Sequence, residues 1–180
     1  YTDVSINGYA NSAAEEYAKN SSIPFVILQG DSDEIYTDSE SGYEIVSDET
    51  YGEILNGVSE KSTVETLIGN IIADGKTVQM VSADGNLLDA SSIAGTGSIV
   101  QILKDGAVVE EITVVIKGDV DGNGLINVVD MEGIQKDILG LTKLNGAYLK
   151  AGQMILGNDT LSVLEMEGIQ KKILGLETVN

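Results

Sequence analysis

The spacing of apolar side chains changes several times along this chain, and each change predicts a different element. Val4 and Ile6 alternate with polar neighbours, as in a strand. Ser12 precedes residues 13–19, which place Glu15 and Glu16 in a first turn and Lys19 in a last one. That order predicts a short helix with a hydroxyl N-cap and charges matched to its dipole. Ile23, Pro24, Phe25, Val26, Ile27 and Leu28 read as a buried strand with the chain's single proline at its leading edge. Residues 1–28 are too few to bury a core of their own, so this unit must stack on something else.

Further along, Tyr43, Glu44, Ile45 and Val46 predict a strand. Ser62-Thr63-Val64-Glu65 reads as a capping box with Ser62 at the N-cap and Glu65 at N3. It opens a helix expected to run through Leu67, Ile68, Ile71 and Ile72 and to end at Asp74-Gly75. Residues 76–83, 98–104 and 107–116 predict strands, with a turn at Asp84-Gly85-Asn86 and a tight hairpin at Asp105-Gly106. One helix over three or four strands gives a small α+β domain of grasp-like outline. Gly95-Thr96-Gly97 lacks the third glycine and the following helix that phosphate binding needs, and reads as a loop.

Residues 117–180 repeat themselves. Met131-Glu132-Gly133-Ile134-Gln135-Lys136 returns thirty-five residues later as Met166-Glu167-Gly168-Ile169-Gln170-Lys171, and Ile138-Leu139-Gly140-Leu141 returns as Ile173-Leu174-Gly175-Leu176. This is a duplicated unit. Each copy predicts a helix with its core positions at Met131, Ile134 and Ile138, or Met166, Ile169 and Ile173, closed by a C′ glycine at Gly140 or Gly175.

Charge narrows the chemistry. Ten lysines face 29 acids, a net charge of −19. That balance repels nucleic acid and anionic membranes. No apolar run is long enough for a membrane span. The chain has no His, Cys, Arg or Trp. Imidazole- or thiolate-based catalysis, soft metal sites and arginine phosphate clamps are thereby excluded. Carboxylates, amides and hydroxyls remain, and they suit a hard cation or paired-carboxylate chemistry. Nine of the acids lie between Asp31 and Glu53 with no lysine among them. Within that stretch residues 30–41 read as a solvated linker, with an acidic cation sponge as the alternative. Tyr1-Thr2-Asp3 opens no signal peptide, and the lack of a starting Met predicts the C-terminal part of a longer chain.

The metal candidate is specific. Residues 119–130 place oxygen-bearing side chains at positions 1, 3, 5, 9 and 12 of a twelve-residue loop: Asp119, Asp121, Asn123, Asn127 and Asp130. Gly124 stands at position 6, where the chain must turn sharply, and Leu125 at position 7 would offer its backbone carbonyl. Ile126 at position 8 is expected to point inward and pair with the sister loop. Six to eight oxygens in flexible geometry select Ca2+ over Mg2+. The same positions of the second copy hold Met154, Leu156, Asn158, Ser162 and Glu165, with Asp159 in place of the glycine. Two ligands are apolar there, and Ser162 and Glu165 form a capping box instead. One calcium ion is expected, in the first loop only.

Two resemblances bear on these readings. Residues 6–19 with Ile23-Pro24-Phe25-Val26 resemble the repeat that closes leucine-rich-repeat arrays in bacterial surface proteins; the alternative is a strand–helix–strand piece of one larger domain. Residues 117–180 resemble a dockerin, closely in the first copy and without the usual ligands in the second, and residues 43–116 resemble the X-like domain that often precedes one. The dockerin resemblance implies an EF-hand-like, calcium-binding module that docks onto a cohesin of a scaffoldin in a cellulosome-like assembly. It implies a secreted, extracellular or cell-surface protein of an anaerobic bacterium. It further implies that loop positions 10 and 11 and positions 17 and 18 face the cohesin, here Val128, Val129, Gln135 and Lys136, and Val163, Leu164, Gln170 and Lys171 in the second copy. The alternative role for the aliphatic residues is core.

The expected fold is therefore a multi-segment α+β chain: a strand–helix–strand cap (1–30), an acidic linker (31–42), a small grasp-like α+β spacer (43–116) and an all-α dockerin with a duplicated EF-hand-like loop–helix motif (117–180). The expected function is non-catalytic, calcium-dependent docking by a monomer, without nucleic acid or membrane insertion. A calcium-stabilised structural domain that binds no cohesin is the second reading. A carboxylate-only hydrolase is the third, disfavoured because no rigid scaffold holds two acids at working distance.

Overall fold

The computed structural model describes residues 5–8, 13–27, 35–154 and 160–176. The expected Val4 strand start, the Ser12 N-cap and Leu28 lie outside them. Near the N-terminus, β1 (Ile6–Gly8) and β2 (Phe25–Ile27) pair in parallel, Ile6 opposite Phe25, and α1 (Ala13–Asn20) connects them. The Ile23 N–H donates to the Ala18 carbonyl at 2.9 Å and the Ile6 N–H to that of Pro24 at 2.9 Å, which closes the unit around buried Ala18.

The main sheet has five strands in the order β4-β5-β9-β8-β7. They are β4 (Glu44–Asp48), β5 (Gly52–Asn56), β7 (Thr77–Val81), β8 (Ile99–Lys104) and β9 (Ala107–Val114). All neighbours are antiparallel except β5 and β9, which run parallel through Ile54–Thr113 and Leu55–Val114. Period-two alternation sends Val100, Ile102, Ile112 and Val114 into the core. On the other face Gln79 donates to Gln101, and Gln101 to Glu111, each at 2.8 Å. The hairpin at Asp105-Gly106 forms as its residues dictate, both at positive φ (53° and 81°), as a primed turn requires.

Helix α2 (Val64–Gly69) starts one residue later than expected, with Thr63 rather than Ser62 as N-cap, its Oγ1 accepting from the Thr66 N–H. It also ends early. Ile71 and Ile72 belong not to the helix but to β6 (Ile71–Ala73), antiparallel to β3 (Ile35–Thr37) within the acidic stretch. That stretch is therefore not spacer throughout.

The C-terminal part contains α3 (Val128–Ile138), α4 (Gly146–Gly152) and α5 (Val163–Ile173). Here the structure corrects the expected architecture. The helices do not make an all-α dockerin with a core of its own. Ile134, Ala151, Met154 and Ile169 join Ile54, Leu55, Leu67, Val100, Ile112 and Ile116 in one continuous core, so residues 35–176 are a mixed α+β fold around a five-stranded sheet. The reason lies in the helices. Ile134 and Ile169 are fully buried, but Ile138 and Ile173, expected in the core, are exposed in the last turns. One fully buried isoleucine per eleven-residue helix is too little to close a core. Val114, Val115 and Ile116 run directly from β9 into the loop before α3 and supply the missing apolar surface. Lys150 Nζ adds a salt bridge to Asp48 Oδ2 at 2.9 Å, fastening α4 to the end of β4.

Candidate metal centre

The loop at 119–130 folds around its own carboxylates. Asp119, fully buried, accepts three backbone N–H groups: Gly122 on Oδ1 at 3.0 Å, and Gly124 and Thr96 on Oδ2 at 3.1 and 2.8 Å. Asp130, also buried, accepts from Val120 at 2.9 Å and Asp121 at 3.3 Å on Oδ1, and from Asn127 at 2.9 Å on Oδ2. Asp121 is exposed and accepts the Asn123 backbone N–H and side-chain amide at 3.1 and 2.8 Å. Asn123 Oδ1 takes the Leu125 N–H at 2.8 Å. Gly124 has φ +76°, the left-handed conformation expected at position 6.

Asp119, Asp121 and Asp130 each place a carboxylate oxygen within 4.8 Å of the other two, an arrangement able to hold a metal ion. Among the described residues no other group of three acids does so. Like charges crowded in a buried place are unfavourable alone. Burial, reinforced by Asp130 and Asp121, pushes Asp119 up to about 6 in spite of its N–H donors. Burial and the Asp121 charge likewise raise Asp130 against the pull of the Asn127 N–H. A hard cation among these oxygens removes that penalty, and the donor set contains only oxygen.

Asn127 and Asp130 have a second task. Asn127 Oδ1 accepts the Val129 N–H at 2.8 Å, and with Asp130 it makes a capping box on α3. The second copy has the matching box: Glu165, fully buried, accepts the Ser162 N–H at 2.8 Å and hydroxyl at 2.6 Å. Glu165 thus serves as the cap expected of it. Met154 is buried in the core, while Leu156, Asn158 and Asp159 lie outside the described residues.

Sequence reasoning missed the part of the centre that comes from the sheet. The loop Gly95-Thr96-Gly97 seats the metal loop: Thr96 donates its N–H to Asp119, and its hydroxyl accepts the Ile116 N–H at 3.1 Å. A Cβ on Gly95 would drive into the Gly122 carbonyl. Ile126 is buried as expected, but its N–H donates to Glu60 Oε2 at 3.2 Å rather than to the sister loop. No short-range signal in the sequence marks Glu60 or Thr96, which lie 66 and 23 residues away from their partners.

The residues expected to face a partner fall on the surface. Val128 is 65% exposed, Val129 48%, Val163 68% and Leu164 51%, so these aliphatics are not core. Gln135, Lys136 and Gln170 are exposed, and Lys171 is half-buried. Lys136 pairs with Glu132 at 2.8 Å and Lys171 with Glu167 at 3.1 Å. Helices α3 and α5 pack against each other. Comparison with protein-family models, curated proteins and solved structures finds no match to this chain.

Calorimetric titration with calcium should return one ion per chain at pH 7.5 and a weaker affinity at pH 5, where Asp119 holds a proton. The same group sets a stability trend. Its folded pKa is raised, so its stabilising contribution is present below about pH 4 and is lost as pH rises through about 6. The calcium-free unfolding midpoint should therefore fall over that window, and saturating calcium should remove the fall. A stoichiometry of two, or a pH-independent affinity, counts against this assignment.

Proposed function

We propose that the chain is a calcium-dependent protein–protein docking module, and that its metal centre binds Ca2+. The observation that carries this reading is the exposure of aliphatic pairs at matching positions of both copies, Val128/Val129 and Val163/Leu164, on helices whose Ile134 and Ile169 are fully buried. Paired aliphatics rimmed by Gln and Lys make a suitable interface anatomy. Calcium, when bound, supplies the charge that compensates the buried acids. Asp130 links the metal loop to the helix: it is at once loop position 12 and the N3 cap of α3, directly behind Val128 and Val129. The resemblance to dockerins suggests the partner class, a cohesin on a scaffoldin outside the cell. The reading is non-catalytic, and no helix among the described residues is long and apolar enough to cross a membrane.

A pull-down against a panel of cohesins with and without chelator tests this. Capture is expected in calcium only. The double variant Val129→Asp/Leu164→Asp should lose capture, by about 2 kcal/mol or more, while retaining calcium affinity. The shared core and the Thr96–Asp119 bond favour a second reading, a calcium-stabilised structural domain of a surface protein. It predicts no cohesin capture but a large calcium-dependent rise in stability.

A further inference from the structure

We infer that Glu60, between β5 and α2, is a positioning residue of the metal centre, doing from outside the repeat what a sister loop was expected to do from within it. This rests on the metal reading above. The Ile126 N–H and the Leu125 carbonyl are the two ends of one peptide unit. Leu125 is loop position 7, whose carbonyl is the expected backbone ligand. Glu60 Oε2 accepts that N–H at 3.2 Å. A carboxylate on the N–H end fixes the peptide plane and draws electron density toward the carbonyl oxygen, making it a better donor to a cation.

Three further observations converge on the same place. The neighbouring Lys61 N–H donates to the Gly124 carbonyl at 2.9 Å, so residues 60 and 61 hold the peptide groups on both sides of Leu125. Lys61 holds φ +66°, a conformation a residue other than glycine seldom adopts and keeps only where its surroundings enforce it. Glu60 is itself held in place: Lys61 Nζ lies 3.2 Å from its Oε2, and half-buried Lys172 of α5 is attracted to it. The second copy lacks the residues of a metal loop but supplies Lys172, whose charge attracts the carboxylate supporting the first.

Outer-shell partners of a metal typically change affinity by about 10- to 100-fold. Glu60→Gln should raise the calcium Kd about 10-fold by calorimetry and leave the calcium-free unfolding midpoint within about 2 °C of wild type. The loss should persist at about 1 M salt, where simple attraction between the Glu60 charge and the ion is screened over about 3 Å. Glu60→Asp, which keeps the charge and shortens the reach, should also weaken binding. If wild type binds calcium and both variants bind it equally well, or if the loss vanishes in high salt, the role assigned to Glu60 is wrong. If wild type binds no calcium, the metal reading fails, and the role of Glu60 with it.

Discussion

Asp119→Ala should abolish calcium binding and lower the unfolding midpoint by about 10 °C with or without calcium, whereas Asp121→Ala should weaken calcium binding and leave the calcium-free midpoint unchanged or slightly raised, since it removes a like charge from beside Asp119 and Asp130. Both are loop acids, but their surroundings differ. Asp119 is fully buried and satisfies the N–H groups of Thr96, Gly122 and Gly124. Each buried N–H left without an acceptor costs about 1–3 kcal/mol. Relief from burying a carboxylate whose pKa is raised to about 6 offsets part of that, leaving a net loss of about 3 kcal/mol. Asp121 is exposed and accepts the backbone and side-chain N–H groups of exposed Asn123, which water can replace. Differential scanning calorimetry of both variants in calcium and in chelator separates the two effects. Equal calcium-free midpoints for the two variants would mean that Asp119 does not anchor the loop to the sheet.

Gly95→Ala should cost about as much, although the residue lies outside the repeat. The added methyl meets the carbonyl of Gly122 and the nitrogen of Gly124, all backbone atoms of the metal loop, which cannot rotate aside like a side chain. Overpacking of this kind costs about 1–3 kcal/mol. The strain falls on the turn that presents the metal oxygens, so calcium affinity should drop as well. Gly69→Ala is the control: it stands at the end of α2 with open space around it, and should change stability by less than about 0.5 kcal/mol and affinity not at all. If Gly95→Ala behaves like Gly69→Ala, the seat provided by Gly95-Thr96-Gly97 has no energetic weight.

What could be read from residue order and what could not divide along sequence separation. The cluster of Asp119, Asp121 and Asp130 was legible because its carboxylates and the turning glycine lie within twelve consecutive residues, so local chemistry alone specifies them. The helix ends were legible for the same reason. Gly140 and Gly175 both take positive φ, and Leu141 and Leu176 close back onto the carbonyls of Lys136 and Lys171 at 2.9 Å. The end of α2 was misread because Leu67, Ile68, Ile71 and Ile72 have helical spacing, yet Ile71 and Ile72 are claimed by a strand more than thirty residues upstream. Strand β5 lay in a stretch without alternation clear enough to mark it, although Ile54 and Leu55 are buried to the hilt between β4 and β9. The shared core was the largest omission. Periodicity tells which side of α3 is apolar but not what that side meets, and an isolated helical module and a helical layer against a sheet have the same pattern.

Position 137 and its counterpart thirty-five residues on show how far the two halves of the duplication have parted. Asp137 accepts the Leu144 N–H at 2.7 Å and the Lys143 ammonium at 3.2 Å, which staples the chain where it leaves α3. The same place in the second half is Lys172, of opposite charge, which is attracted to Glu60. Exchanging the halves would set a cation against an amide hydrogen at one end and an anion against Glu60 at the other. Ancestral symmetry survives in buried Ile134 and Ile169 and in the outward-facing aliphatics, while positions 137 and 172 have become a lock and its key, each cut for one orientation.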